Sequence, residues 1–169
     1  MAKKHILPDR LRPGLKLVFC GTAAGRQSAL SRTYYAHSQN KFWITLHRVG
    51  LTPQLFAPQD YEKLWELGIG LTDIAKHAYG MDHQLPKDAL GAVAVAALKA
   101  RIVKAKPRIL AFTSLNGGRK VMGPHAVAGE QAALLGDTRI FLLPSPSPLA
   151  ANHWDIGPWR AVARAYKEL

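Results

Sequence analysis

The chain has 169 residues, of which 48% are hydrophobic, and this length and composition predict one domain around a single core. Lysine and arginine outnumber aspartate and glutamate by 23 to 11, which gives a formal charge of +12. This surplus favours a polyanionic partner, with nucleic acid as the first interpretation and a generally basic protein as the alternative.

The single cysteine, Cys20, lies in an apolar run and excludes an intramolecular disulfide and an iron–sulfur cluster held by four thiolates. The 7 histidines are scattered without the spacing of a zinc site, so we predict no metal. No apolar run approaches the roughly 20 residues of a membrane span, and the N-terminus lacks the apolar core of a signal peptide. We therefore expect a cytoplasmic protein that does not enter membranes.

The first part of the chain predicts a lead-in followed by a strand and a turn. Residues 1–12 are basic and polar, which indicates a loosely held N-terminal lead-in to one domain over residues 13–169. Residues 15–20 form an apolar run typical of a buried strand. The small residues at 21–25 then predict a turn at which the backbone can approach a ligand closely.

Apolar periodicity predicts alternating helices and strands in the remainder of the chain. Helices are expected over residues 40–49, 58–67, 86–106 and 158–169, and strands over residues 69–74, 108–113 and 139–143. The strand that begins at residue 69 is expected to end around Thr72-Asp73. The sequence Asn116-Gly117-Gly118 is expected to form a turn before a helix that begins near Arg119.

This alternation is typical of a parallel sheet with helices on both faces. Ligands of such sheets bind at the carboxyl ends of the strands. We therefore expect the loops at 21–25, 72–73, 116–120 and 145–149 to converge on one edge.

The loop after the last strand alternates proline with serine and ends at Leu149. Because prolines stiffen the backbone, this loop predicts a rigid apolar wedge that can enter a base stack. A leucine that packs on its own protein is the alternative.

Short blocks of sequence occur in a characteristic order along the chain. They are Pro13-Gly14-Leu15 with Val18-Phe19-Cys20-Gly21, Tyr35-Ala36-His37 with Asn40-Lys41-Phe42-Trp43, Gly70-Leu71-Thr72-Asp73, Asn116-Gly117, and the segment from Pro144 to Leu149. Together, over residues 6–169, these blocks resemble the uracil-DNA glycosylase superfamily. They are most similar to its mismatch-specific uracil-DNA and thymine-DNA glycosylase branch.

The resemblance implies a three-layer α/β/α sandwich around a central four-stranded parallel sheet. It also implies an enzyme that everts uracil from DNA and hydrolyses its N-glycosidic bond without a cofactor. The matched blocks hold no lysine nucleophile, so we expect no associated strand cleavage. We expect a monomer that acts on single- or double-stranded DNA.

The resemblance also implies contacts to the everted base. Gly21, Thr22, Ala23 and Tyr35 fall at base-binding positions, and Tyr35 matches the aromatic residue that stacks on the base. Asn40 either builds the same pocket or caps the helix that follows it.

Four further residues are candidates for contacts to DNA. Leu149 resembles the wedge that fills the vacated space in the duplex, and Ser147 precedes it in the same loop. Asn116 and Lys120 flank a helix start where backbone N–H groups can bind a phosphate. A plain turn explains the Asn116 segment equally well.

Two positions depart from the family pattern. Ala23 stands where the family places a polar residue that positions the attacking water, and Ser145 stands where asparagine or histidine is common. Asp73 is our first candidate for a replacement, with Ser145 a weaker one. A carboxylate at Asp73 can accept the uracil N3–H, hold a water, or stabilise positive charge on the sugar. Capping of the following turn is the alternative role for Asp73.

Two other functions stay open at this point. A protein that binds uracil or lesion-containing DNA with little turnover would share the same residues. A nucleotide-binding α/β enzyme is disfavoured, because residues 21–25 lack both the dinucleotide and the Walker glycine patterns. Pro148 replaces a glycine that close relatives use to read an opposite guanine, which favours removal of uracil whatever its partner.

Overall fold

The computed structural model describes residues 3–169, which form one sheet of five strands with helices on both faces. The strands are β1 Leu17–Ala24, β2 Ile69–Tyr79, β3 Ile109–Phe112, β4 Gly129–Leu135 and β5 Thr138–Leu142. Their order is β2-β1-β3-β5-β4, and all pairs are parallel except β4 with β5. The prediction of four strands therefore missed β4. Most side chains of this edge strand are exposed, and its apolar residues do not alternate with polar ones, so the sequence does not mark it as a strand.

Five helices and three short 3₁₀ segments connect the strands. The helices are α1 Arg26–Ser31, α2 Phe42–Arg48, α3 Ala92–Ala105, α4 Leu115–Met122 and α5 Gly157–Lys167. The 3₁₀ segments are Pro58–Leu67, Asp82–Gln84 and Pro148–His153. Within residues 3–169, none of the helices has the length and apolar character that a membrane span needs.

The two faces of the sheet carry separate hydrophobic cores. Successive side chains of a strand point to opposite faces. Phe19 of β1 packs with residues of α2 and α5 in one core, and Cys20 packs with residues of α3 and α4 in the other. The described chain is thus an α/β/α arrangement, as the alternation of elements predicted.

Two predicted helix starts are wrong. The helix expected to begin at Pro86 begins at Ala92, because Gly91 at its N-cap has an extended backbone. The helix expected near Arg119 begins at Leu115, because Ser114 caps it and accepts a hydrogen bond from Gly117 N–H at 2.9 Å. The Asn-Gly-Gly sequence therefore lies inside α4 rather than in a turn before it.

The N-terminal segment packs against the body of the protein over its described residues. Leu7 is 1% exposed and belongs to the core shared with α2 and α5. Arg10 pairs with Leu71 of β2 through two backbone hydrogen bonds of 2.9 and 3.1 Å. These contacts correct the expectation of a loosely held lead-in, because the buried Leu7 and the backbone pairing of Arg10 anchor an otherwise polar segment. The division at residues 12 and 13 stays a prediction.

Strand β2 continues well beyond its predicted end. It pairs with β1 from Leu17 opposite Ile69 to Ala24 opposite Tyr79, and the register shifts between Ala23 and Ala24. Asp73 therefore lies within the strand, opposite Gly21, rather than at a strand exit. The prediction ended the strand early because a buried aspartate and a buried lysine interrupt the apolar pattern at this point.

Replacement of Gly118 by alanine is expected to lower the free energy of unfolding by about 2 kcal/mol or more. A Cβ atom at this position would overlap Cγ of Leu142, so this buried side chain or α4 itself would have to move. Denaturant titration measures the effect, with Gly25→Ala as the control, since nothing lies within 4 Å of a Cβ there. Equal stability of the two variants would contradict this close packing.

Candidate active site

A cleft of about 960 Å³ opens at the carboxyl edge of the sheet. The sequence-predicted residues that line it are Gly21, Thr22, Ala23, Tyr35, Asn40, Asp73, Asn116, Ser145, Ser147 and Leu149. Among the predicted residues, Lys120 does not line the cleft and is exposed on α4. The cleft thus brings together residues of all four segments that the sequence placed at one edge, although residues 21–24 and Asp73 lie in strands and Asn116 lies in α4 rather than in loops.

Asp73 is the buried carboxylate of this cleft, with 4% of the residue exposed. Within residues 3–169 no side chain or backbone group donates a hydrogen bond to its carboxylate, and the nearest cation is Lys76 Nζ at 3.9 Å from Oδ2. Burial raises the pKa of Asp73 to about 6 and the charge of Asp9 adds to this, while Lys76 and Arg101 lower it. A buried carboxylate without donors is suited to accept one from a bound molecule.

Gly21 allows the Asp73 carboxylate to sit against the backbone of β1. A Cβ atom at Gly21 would lie 2.6 Å from Oδ1 of Asp73, 3.5 Å from the Tyr35 hydroxyl and 3.7 Å from Thr113 Oγ1. No larger residue fits without moving the carboxylate. The absent side chain therefore makes room for three polar groups at one point of the cleft.

Tyr35 is held as a fixed aromatic surface beside Asp73. Its ring stacks on Phe42 at a centroid distance of 3.8 Å and an interplanar angle of 15°, so Phe42 covers one face. Its hydroxyl and Thr113 Oγ1 share a hydrogen bond of 3.0 Å. Its φ of 53° lies in the left-handed region, which costs a non-glycine residue about 1–2 kcal/mol. Burial raises the pKa of Tyr35 well above its ordinary value, so the phenol stays neutral.

Asn40 accepts a backbone hydrogen bond at the start of a helix, one residue before the N-cap Lys41, and it also lines the cleft. Phe42 N–H donates a hydrogen bond of 2.9 Å to Asn40 Oδ1 at the start of α2. Its Nδ2 makes no hydrogen bond to another part of residues 3–169 and can donate to a ligand. The two roles that the sequence left open are therefore compatible.

The proline loop is braced by hydrogen bonds of its own and exposes its tip. Ser147 N–H donates to Ser145 Oγ at 3.2 Å, and Leu149 N–H donates to Ser147 Oγ at 3.3 Å. Lys41 N–H donates to the Pro146 carbonyl at 2.9 Å and ties the loop to the start of α2. Leu149 is 68% exposed at the rim of the cleft, so it does not pack into the protein.

Asp82 is a cleft residue that sequence reasoning missed. Thr22 Oγ1 donates to its Oδ1 at 2.6 Å, and Asn116 Nδ2 donates to its Oδ2 at 2.6 Å. This carboxylate therefore links the carboxyl end of β1 to the start of α4. No local pattern marks Asp82, because its two partners are distant in sequence.

The start of α4 offers fewer free donors than a phosphate cradle would. Gly117 N–H donates to Ser114 Oγ, and Gly118 N–H donates to the Ser114 carbonyl at 3.1 Å. Arg119 rather than Lys120 reaches the cleft, and its Nε donates to the Ala126 carbonyl at 2.8 Å. Basic side chains at the cleft are thus Arg119 and Arg26, together with histidines.

These features define an α/β protein with a ligand cleft at the carboxyl edge of a largely parallel sheet, a buried carboxylate inside it and an exposed leucine at its rim. The family model of the uracil DNA glycosylase superfamily matches residues 8–169. The chain belongs to this superfamily.

A solved structure supports the same fold. The solution NMR structure of a protein named "putative Uracil DNA glycosylase", from Methanosarcina acetivorans, matches with a TM-score of 0.62 and 19% sequence identity. The match covers 99% of this chain and 99% of that chain. At this identity the likeness establishes the shared architecture.

Proposed function

We propose that this protein is a monofunctional uracil-DNA glycosylase that everts uracil from DNA and hydrolyses its N-glycosidic bond. The observation that carries the proposal is the Asp73 carboxylate, which is buried and has no hydrogen-bond donor among residues 3–169, in the cleft of a uracil DNA glycosylase superfamily member. The formal charge of +12 supports DNA as the partner.

The proposed reaction is displacement of the base by water. The water oxygen bonds to C1′ of the deoxyribose, the bond from C1′ to N1 breaks, and uracil leaves with the electron pair. Positive charge develops on the sugar as this bond weakens, and the ionised Asp73 stabilises it and accepts a proton from the water. Asp73 thereby replaces the polar side chain that Ala23 lacks.

The everted base is proposed to lie against Tyr35 on the face that Phe42 leaves open. Stacking of a base on an aromatic ring contributes about 1–3 kcal/mol. The Nδ2 group of Asn40 and the backbone of residues 21–23 supply polar contacts to the base edge. The Ser145 hydroxyl, whose oxygen already accepts a hydrogen bond, has its proton free to donate to a base carbonyl.

Contacts to the rest of the DNA are proposed for the rim of the cleft. Leu149 enters the space that the base leaves, and Ser147 holds the loop in shape. Asn116 and Lys120 contact the phosphate backbone, with Asn116 already oriented by Asp82. Pro148 favours removal of uracil whatever base stands opposite. The kinship to the mismatch-specific branch is part of this proposal.

Alkaline cleavage of a uracil-containing oligonucleotide tests the proposed function. Alkali cuts DNA at abasic sites, so incubation with excess protein followed by alkali should convert the labelled strand into a shorter product. The same strand without alkali should stay intact. A strand that survives alkali after prolonged single-turnover incubation would reject catalysis.

Binding without turnover is the second candidate, and Ala23 at the usual water-positioning site favours it. This alternative predicts that uracil-containing DNA migrates more slowly in a native gel while no abasic product forms. The two functions are therefore distinguished by one pair of assays on the same oligonucleotide.

The excision rate is expected to depend on the ionisation of Asp73. Because the pKa of Asp73 is raised to about 6, the carboxyl is protonated below that pH and ionised above it. The ionised form is the active one, so the single-turnover rate should rise about tenfold per pH unit below about 6 and level off above it. A rate that falls as the pH rises through this range would contradict the assignment.

Leu149→Ala is expected to lower excision from double-stranded DNA by about tenfold, which corresponds to about 1.4 kcal/mol. Excision from single-stranded DNA should change little, because no stacked neighbour has to be separated there. The matched control is Leu134→Ala, which removes an exposed leucine from β4. Equal losses on both substrates would show that Leu149 is not a wedge.

A further inference from the structure

Four charged side chains lie together beside the cleft: Asp9 from the N-terminal segment, Asp73 and Lys76 from β2, and Arg101 from α3. Lys76 Nζ lies 2.8 Å from Asp9 Oδ1 but 3.9 Å from Asp73 Oδ2. Arg101 Nε lies 3.1 Å from Asp9 Oδ2. The two cations are thus closest to Asp9.

A neighbouring hydroxyl also interacts with Asp9 rather than with the Asp73 carboxylate. Thr72 Oγ1 donates to Asp9 Oδ1 at 2.7 Å. Arg101 Nη2 donates to the backbone carbonyl of Asp73 at 2.8 Å, and not to its side chain. The cations and the hydroxyl group of the cluster therefore lie closest to the Asp9 carboxylate. The Asp73 carboxylate faces the cleft.

We propose that Asp9 is a positioning residue of the active site, which holds Lys76 and Arg101 so that neither cation neutralises the Asp73 carboxylate. The proposal rests on the proposed function, because it assigns Asp9 a part in the chemistry of Asp73. The N-terminal segment, which contains Asp9, then contributes to the function of the active site.

The reason lies in the burial of Lys76, whose side chain is 3% exposed. A buried ammonium group needs a carboxylate partner, because an unpaired charge in the interior is strongly unfavourable. Asp9 and Asp73 are the acidic side chains within 4 Å of Lys76 among residues 3–169. If Asp9 lost its charge, Lys76 would turn to Asp73 and form the ion pair that the native cluster prevents.

The cysteine and the tyrosines near Asp73 are held uncharged. Burial raises the pKa of Cys20 and of the two tyrosines, Tyr34 and Tyr35, above their ordinary values. Burial also lowers the pKa of His5, which lies near Asp9 and Lys76. Asp9, Lys76 and Arg101 are thus the charges that act on Asp73 from the elements packed around it.

Asp9→Asn and the double variant Asp9→Asn with Lys76→Met test the proposal. Asparagine keeps the acceptor for Thr72 and removes the charge. The Asp73 carboxyl is followed by ¹³C NMR titration and assigned by its loss in Asp73→Asn. In Asp9→Asn we expect its pKa to fall by about one to three units, and the acid limb of the excision rate to move with it. The rate at neutral pH should fall at least about tenfold.

The double variant separates positioning from a purely structural role. Removal of the freed ammonium group should restore both the Asp73 titration and the neutral rate to near the wild-type values. An unchanged Asp73 titration in Asp9→Asn would overturn the proposal, as would a lost rate that Lys76→Met fails to restore. Asp88→Asn is the control, since it removes an exposed carboxylate outside the cleft.

The proposal can also be tested if Asp9→Asn does not fold or if the wild-type protein is inactive. If Asp9→Asn does not fold, Lys76→Met alone should keep the maximal rate within about threefold and raise the Asp73 pKa, because a cation that lowers it is gone. A larger loss of the maximal rate would mean that Lys76 itself takes part in the reaction at Asp73, and would overturn the proposal. If the wild-type protein excises no uracil, the proposed function fails while the carboxyl titration still decides the role of Asp9.

Discussion

Asp73→Asn is expected to lower the single-turnover rate of uracil excision by about 10²–10³-fold at neutral pH. Asparagine has nearly the same size as aspartate, so the packing against Gly21 is kept while the negative charge is lost. The charge acts only when positive charge develops on the sugar, so the dissociation constant for uracil-containing DNA should stay within about threefold.

Two measurements on the Asp73→Asn variant separate an effect on DNA binding from an effect on the excision rate. A native gel or anisotropy titration gives the dissociation constant, and quench-flow with alkaline cleavage gives the rate. Asp88→Asn should match the wild type in both. If Asp73→Asn excised uracil at the wild-type rate, Asp73 would have no catalytic part. If binding and rate fell together, Asp73 would act in binding the base instead.

Gly21→Ala is expected to abolish most of the excision activity, with a loss of at least about 10²-fold. The new methyl group would overlap the Asp73 carboxylate, since its Cβ would lie 2.6 Å from Oδ1. Asp73 can avoid the methyl group only by moving its carboxylate from the position that it holds in the cleft. The substitution would also destabilise the fold by about 1–3 kcal/mol, as other overpacked sites do.

Gly118→Ala is the matched control for this loss. It is the same substitution and it is also expected to destabilise the protein, but through Leu142. At a temperature where both variants are folded by circular dichroism, Gly118→Ala should retain excision and Gly21→Ala should not. A folded Gly21→Ala variant with wild-type activity would show that the close approach of Asp73 to β1 is not required.

The convergence of the loops could be predicted from the sequence. Apolar runs mark β1, β3 and β5, and parallel strands present their carboxyl ends at one edge of the sheet. Residues 21–25 and the loop at 145–149 were therefore placed correctly at one cleft, although the turn predicted at 21–25 is wrong because β1 continues to Ala24. The exposed position of Leu149 could also be predicted, because the prolines around it keep the loop from folding back onto the protein.

The charged network could not be predicted in the same way. Asp73 was placed at a strand exit, although β2 continues to Tyr79 because Asp9 pairs with Lys76 and allows a charged strand to be buried. Asp82 meets Thr22 across 60 residues of sequence. Such pairs form between segments that are distant in sequence and come together only in the folded chain. The local periodicity of the sequence therefore does not predict them.

The central claim is that the cleft receives an everted uracil, and a structure with DNA tests it most directly. A duplex that carries 2′-fluoro-2′-deoxyuridine is suitable, because the fluorine opposes positive charge on the sugar and slows hydrolysis. We expect uracil outside the stack, with its ring on Tyr35 and the Asp73 carboxylate within hydrogen-bonding reach of the base or of a water at C1′. Leu149 should occupy the gap in the duplex. A uracil that stays stacked, or that binds away from the cleft, would contradict the account.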